Sequence, residues 1–344
     1  MDGIQVLRFP NLSNRLAWDR QLFLPRGMGD FLKAHLKDFD LVHTHMYRTY
    51  QDILVHRYAT KTKTPYVVSA RGSLPRIVRQ KRTKLLFDTL FGKRFLRDAS
   101  RLVASSNAER GHYTSAGVPA SKVSVIPNGI DLSTFRELPS RGGFAKSHGV
   151  EDGAPLVVYL GRLNPRKGLE GLLIAFRGVI RQVKNTRLLL VGPDEGYRPH
   201  LEYVAKALGI SDRVVFTGFA GGRERLGAFV DSDVVVYPGE HEAFGLVPFE
   251  ALMCGRPVVV ADDSGCAEIL VKAGSGLIVP VGDVDALTKA ILTALADGPL
   301  VTDLVKQGRG YVTDHLDWRV VVESFVDLYS QAVGPFSLQA TRSV

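Results

Sequence analysis

Two short segments hold residue types whose spacing could do chemistry. Gly161-Arg162-Leu163-Asn164-Pro165-Arg166-Lys167-Gly168 follows one apolar run and precedes an amphipathic one. A Gly-bearing loop between a strand and a helix presents backbone N–H groups and the positive helix end to an anion. Arg162 adds a planar fork of donors and Lys167 a point charge, a set suited to a diphosphate. A solvated basic loop is the plain alternative. The segment matches neither GxGxxG nor the Walker pattern, so those two binding modes lose support. The second segment, Pro238-Gly239-Glu240-His241-Glu242-Ala243-Phe244-Gly245-Leu246-Val247-Pro248-Phe249-Glu250, also follows an apolar run. Pro248 suits a first helical turn, which puts Glu250 within about one turn of a helix start. Singly, Glu250 would stabilise that turn by ~0.3–1 kcal/mol, and Glu242 would be a solvated carboxylate. Two acids eight apart, bracketing Phe244-Gly245 at a strand's carboxyl end, ask for more than either reading supplies.

Other chemistry-bearing residues are weaker signals. Asp-x-Asp occurs at Asp38/Asp40, Asp231/Asp233 and Asp283/Asp285, but two of these precede strands and the third opens a helix, all ordinary places for Asp. No metal is expected at them. His43 and His45 alternate on a strand and share a face, without a further ligand set. Cys254 and Cys266 are too few for a disulfide framework or a zinc site. Between Arg71 and Arg110 stand eleven basic residues, Arg79 among them, against Asp88, Asp98 and Glu109, interleaved with Leu85, Leu86, Phe87, Leu90, Phe91, Phe95 and Leu96. Such a segment can lie on an anionic membrane surface; a helix packed on a sheet with a solvated basic face is the alternative. No nucleic-acid recognition module accompanies the charge, so nucleic acid is not expected as a partner.

The elements that must position these residues are strands and helices in alternation. Strand candidates are Ile4–Arg8, Leu41–His45, Tyr66–Ala70, Leu102–Ser105 and Val123–Pro127, then Leu156–Leu160, Arg187–Val191, Val214–Thr217, Val234–Tyr237, Pro257–Ala261 and Gly276–Val279. Most are apolar on both faces, as parallel strands between helix layers are. The 344 residues suit two domains, expected at 1–136 and 156–316 with a polar, Gly-rich linker at 137–155 and a final helix near 317–334. Charge divides likewise: residues 1–150 hold 25 Lys/Arg and 11 Asp/Glu, and the remainder 19 and 24. Met1–Asn11 lacks a secretory pattern and no apolar run approaches the ~20 residues of a bilayer span. The expected location is cytoplasmic, peripheral at the inner membrane face.

Together, Gly161-Arg162…Lys167-Gly168 and Glu242-x7-Glu250 with Phe244-Gly245 resemble the retaining GT-B glycosyltransferases of family 4. Val125-Ile126-Pro127-Asn128-Gly129-Ile130-Asp131, Phe216-Thr217-Gly218 and Ala251-x3-Gly255-x-Pro257-Val258 extend the resemblance, which runs from about residue 1 to 333. It implies an α/β GT-B fold of two doubly wound Rossmann-like domains with the active site in the interdomain cleft. It implies a nucleoside-diphosphate sugar as donor, a glycan, lipid-linked or phosphate-bearing acceptor, and no metal or other cofactor. Arg162 and Lys167 would hold the diphosphate, Glu242 the donor sugar, and Glu250 the ribose. Gly161, Phe244, Gly245 and Leu246 would offer backbone groups, and Gly218 would border the base. His45 and Arg71, the latter where many members carry His, would lie on the acceptor side, and the final helix would return to the first domain. Members also open with a strand, a Gly-rich loop and a helix ahead of the segment resembling Asp2–Val6. The resemblance therefore implies a chain lacking that opening, with a binding protein without turnover, or an epimerase or hydrolase on the same fold, as the alternative functions.

Overall fold

The structure, a computed structural model, describes residues 3–20, 22–76, 81–296 and 298–334. They form two units: the chain up to Ile126 together with the residues from Val322 on, and the stretch Pro127–Val321.

The first unit is built on a parallel sheet of β1 (Val42–His45), β2 (Tyr66–Ser69), β3 (Arg101–Ala104) and β4 (Val123–Val125), paired in that order. Parallel neighbours need crossover connections, and helices supply them. Helix Tyr50–Thr62 begins with a capping box: the Asp52 N–H donates to Thr49 Oγ1 at 3.2 Å and the Thr49 N–H to Asp52 Oδ2 at 2.8 Å. Two of the helix start's orphan donors are satisfied there. Tyr66 stacks on Phe95 at 5.3 Å in the core, and its hydroxyl donates to the Phe95 carbonyl. The expected strand Ile4–Arg8 is not formed. Its residues pair with no strand among the described residues, and Ile4, Val6 and Leu7 are exposed. An apolar run becomes a strand through its neighbours rather than by propensity alone.

The second unit carries six parallel strands: β5 (Leu156–Leu160), β6 (Arg187–Val191), β7 (Val214–Gly218), β8 (Val234–Tyr237), β9 (Val258–Ala261) and β10 (Leu277–Val279). Their order is β10-β9-β8-β5-β6-β7. Alternate residues of the central strands enter two separate apolar layers. Val158, Leu189 and Val235 lie in one, and Val157, Leu188 and Val234 in the other. That is why the strands read as unbroken apolar runs. Helix Leu169–Gln182 covers one face with Leu169, Leu172, Leu173, Phe176 and Val179.

The stretch 137–155, expected as the linker, belongs to this unit instead, and the division falls at Ile126/Pro127. Asp231 accepts the N–H groups of Gly142 and Ala145 at 2.5 and 2.7 Å, fixing the short helix Gly143–Ser147 and seating Phe144 in the core. The Pro127–Asp131 motif is tied to the start of the last helix, Trp318–Val333. The Ile130 N–H donates to the Leu316 carbonyl at 2.7 Å, and the Trp318 N–H to the Ile130 carbonyl at 3.1 Å. From Val322 on, that helix groups with the first unit.

Candidate functional site

In the second unit the chain runs from β5 through β6 to β7, then returns to set β8 on the other side of β5. The loops after β5 and β8 thus leave the sheet at a topological switch point, where a crevice opens at the strands' carboxyl ends. They are the two segments singled out in the sequence.

Glycines let these loops close on each other. Gly168 has φ 65°, and a Cβ there would stand 2.3 Å from the Pro238 carbonyl oxygen. The Glu240 N–H donates to the Arg166 carbonyl at 3.0 Å beside this contact. Lys167, buried, pairs with the Glu242 carboxylate and lies 5.8 Å from the centre of the Tyr237 ring. Gly245, at φ 91°, packs where a Cβ would meet a Tyr237 ring carbon at 2.9 Å. The turn it makes buries Phe244 and leaves Leu246 exposed at the start of helix Val247–Met253. The Glu242 carbonyl accepts the Gly265 N–H at 2.8 Å, which pins this loop to the Ser264-capped helix Gly265–Lys272.

Glu250 sits in the first turn of helix Val247–Met253, but its carboxylate is not on that turn's N–H groups. Oε1 lies 2.9 Å from Nη1 of Arg225, on helix Gly222–Asp231. Burial pushes the Glu250 carboxyl above its usual range, and the Arg225 charge opposes that shift. Arg162 pairs with Glu195 at 2.6 Å, both partners about half exposed, and Asn164 Nδ2 donates to the other Glu195 oxygen at 3.0 Å.

Three residues at this site escaped the sequence reading: Gly192, Glu195 and Arg225. Gly192 follows β6 as Gly161 follows β5, and a Cβ on it would stand 1.9 Å from the Gly161 carbonyl oxygen. The Gly161 N–H donates to the Val191 carbonyl at 2.9 Å, and the Gly192 N–H to that of Gly218 at 2.7 Å. Gly161, Gly192 and Gly218 therefore close the carboxyl ends of β5, β6 and β7 with backbone alone. The signal for Gly192 was present, since Arg187–Val191 runs into Gly-Pro-Asp just as the neighbouring strands run into glycine. Glu195 and Arg225 carry no such signal.

In the first unit, the His43 and His45 rings lie 4.3 Å apart. His43 Nδ1 is 2.7 Å from the Tyr329 hydroxyl and Nε2 2.7 Å from that of Ser69. Burial, then the charges of His45 and Arg71, lower its pKa to about 3, so the ring is neutral. His45 is lowered by burial and by Arg71. Arg71 follows β2 with φ 52°, and the next N–H, of Gly72, donates to buried Glu109 at 2.6 Å. Glu109 also takes the N–H and hydroxyl of Ser105 at 2.7 Å each.

The family model of glycosyl transferases group 1 matches residues 141–311, and that of glycosyltransferase family 4 matches residues 2–134. The chain belongs to the group 1, family 4 glycosyltransferases. It is 31% identical over 246 residues to the GDP-mannose-dependent alpha-(1-6)-phosphatidylinositol monomannoside mannosyltransferase of Mycolicibacterium smegmatis, covering 69% of this chain and 64% of that one. With the D-inositol 3-phosphate glycosyltransferase of Saccharomonospora viridis it shares 29% over 318 residues, covering 87% and 71%. The chain spans 54–72% of the length of curated relatives of this kind. Anabaena HepE in complex with UDP superposes with a TM-score of 0.75 at 22% identity, over 88% of this chain and 82% of that one. The fold is the α/β GT-B type.

The remaining expectations fall on other parts of this family 4 chain. Asp233 accepts the Leu156 N–H at 2.8 Å and pairs with Arg141, and Asp283 caps helix Val284–Leu295 through the Ala286 N–H. With Asp231 on Gly142 and Ala145, these acids serve the fold. The basic segment forms helix Lys81–Phe87, a wider π turn Asp88–Gly92 and helix Lys93–Asp98; Arg79 lies outside the described residues. Phe95 and Leu96 are buried, while Leu85, Leu86, Leu90 and Phe91 are exposed among the charges. Arg48 grips Asp88 with two donors, at 2.8 and 2.9 Å. No helix of the described residues is long and apolar enough to cross a membrane.

Proposed function

We propose that this chain moves a sugar from a nucleoside-diphosphate sugar to a glycan, lipid-linked or phosphate-bearing acceptor, with retention of anomeric configuration and without a metal ion. The observation that carries this reading is the clasp of the two loops at the switch point, with Lys167 and Glu242 held together in it. A cation beside a carboxylate at the ends of parallel strands suits a ligand that is phosphate at one end and polyol at the other. Lys167 and Arg162 take the diphosphate, Arg162 exchanging Glu195 for phosphate oxygens. They then stabilise the charge that builds on the leaving group, usually the largest single contribution to such catalysis. Glu242 accepts from donor-sugar hydroxyls and Glu250 from the ribose. His45 and Arg71 serve the acceptor side.

In the transfer, the bond from the anomeric carbon to the β-phosphate oxygen breaks with its electron pair on the phosphate. The acceptor hydroxyl forms the new bond on the same face, and its proton passes to that phosphate. A hydrolase built on two carboxylates would need one as nucleophile and the other as acid. Here each carboxylate is matched with its own cation, which suits binding better. The mycobacterial relative's dependence on GDP-mannose and its name as a phosphatidylinositol monomannoside mannosyltransferase, with the HepE complex with UDP, support the donor and acceptor classes. The exposed apolar residues among the charges of 81–97 support an anionic membrane surface as the place where a lipid-linked acceptor is met.

The test is release of nucleoside diphosphate from a panel of nucleoside-diphosphate sugars. Turnover is expected with at least one donor, and Glu242→Ala and Lys167→Ala each abolish it. Turnover unaffected by both changes would remove the reading.

A further inference from the structure

We infer that Arg225 is a positioning residue for Glu250, fixing its carboxylate so that it reads the ribose hydroxyls of a bound nucleoside diphosphate. The inference rests on the donor reading above and adds a residue to it. Glu250 is buried, on a helix of only seven residues, and that helix's own N–H groups do not hold its carboxylate. The hold comes from a different element: Nη1 of Arg225, on helix Gly222–Asp231, at 2.9 Å from Oε1. The Nε of the same guanidinium is buried with no hydrogen-bond partner. Its helix follows β7, so the pair ties the helix beyond β7 to the helix beyond β8.

The chemistry follows from the number of acceptors. An ionised carboxylate offers only acceptors and can take two vicinal hydroxyls, whereas a protonated one turns one oxygen into a donor. Burial drives Glu250 toward the protonated form, and the Arg225 charge is the influence that counters it. Without Arg225 the carboxyl is both less charged and free to turn about its side-chain torsions. Affinity for the diphosphate, set by Lys167 and Arg162, would persist, and preference for ribose would not.

The probes are UDP, GDP and ADP with their 2′-deoxy and 3′-deoxy counterparts, titrated calorimetrically. Wild type is expected to favour the ribonucleotide of its preferred base by about tenfold or more, the worth of a hydrogen bond to a charged acceptor. Arg225→Met reduces that preference to about threefold or less, and Arg225→Gln, which keeps polarity without charge, does the same. Arg225→Lys restores most of it. In a Glu250→Gln background the preference is already lost, and Arg225→Met changes it no further. Ribose preference kept by both Arg225→Met and Arg225→Gln, with only the melting temperature lowered, would overturn the inference and leave the donor reading standing. Wild type that binds none of the probes would overturn the donor reading itself.

Discussion

Gly168 and Gly209 share a left-handed backbone, at φ 65° and 70°, but differ in what stands beside them. A Cβ on Gly168 meets the Pro238 carbonyl, whereas one on Gly209 meets nothing within 4 Å. Both Gly→Ala changes incur the left-handed strain of ~1–2 kcal/mol; only Gly168→Ala also forces the two site loops apart. Gly209→Ala should therefore lower the melting temperature and leave nucleoside-diphosphate affinity unchanged. Gly168→Ala should weaken that affinity by at least about tenfold, because positioned charges lose their effect when displaced by an ångström. Equal affinities in titration calorimetry would show that the clasp does not matter. His43 makes a second prediction at this scale. Its pKa falls from 6.5 to about 3 on folding, so below pH 6.5 the unfolded chain binds a proton that the folded chain refuses. The stability this buried neutral ring contributes is fully present above pH 6.5 and is lost as pH falls toward 3. Between pH 7 and 5 the loss is about 2 kcal/mol. Denaturant titrations should show that slope in wild type and a flatter one in His43→Gln; equal slopes would mean that His43 titrates normally.

Among the elements, the segment from Lys81 to Asp98 exposes apolar side chains among its basic ones. Buried Phe95 and Leu96 anchor it, while exposed Leu85, Leu86, Leu90 and Phe91 stand among Lys81, Arg82, Lys93 and Arg94. Each basic residue near an anionic leaflet contributes ~1 kcal/mol. Sedimentation with phosphatidylglycerol vesicles should pellet the protein, and neutral phosphatidylcholine vesicles should not. Leu85→Ser with Leu86→Ser should cut the bound fraction at least about fivefold by removing apolar insertion. Binding untouched by that pair would point to charge alone. Elements were also where the sequence was most legible. The strands of the second unit were located to within a residue or two, because a strand buried on both faces is apolar throughout. The stretch 137–155 was misread because a Gly-rich polar run looks the same as linker or as capped turn; the deciding contact is Asp231, some 86–89 positions away. Arg225 and Glu195 were invisible for a related reason. Local pattern showed that Glu250 would open a helix, but only the packing of a second helix decides what its carboxylate meets.

At the scale of the whole molecule, the two halves of the sequence carry opposite charge balances, and the loops proposed to take the diphosphate belong to the less basic half. Residues 151–344 hold 19 Lys/Arg against 24 Asp/Glu, yet the site loops gather Arg162, Arg166 and Lys167 within six residues. On the proposed reading, diphosphate recognition is a local arrangement at a switch point and not a consequence of the +9 net charge. If so, ligand stabilisation should start in the second unit. A ligand that binds only the folded state stabilises it by ~2.7 kcal/mol at a hundredfold excess over Kd. Hydrogen exchange with and without a saturating nucleoside diphosphate can locate that gain, because local opening reports separate cooperative units. Protection should rise first in peptides spanning 161–168, 192–197, 218–225 and 238–250. Peptides of β1 and β2, which hold His43 and Ser69, should change less, since the Lys167–Glu242 pair lies on the loops after β5 and β8. Raising salt from low to about 0.5 M should leave this pattern in place, because the buried Lys167 is screened far less than the exposed basic helix. The same salt should release the protein from anionic vesicles. Protection centred on β1 and β2, or nucleotide binding lost in parallel with vesicle binding, would mean that the basic first unit, and not the clasp at β5 and β8, holds the phosphate.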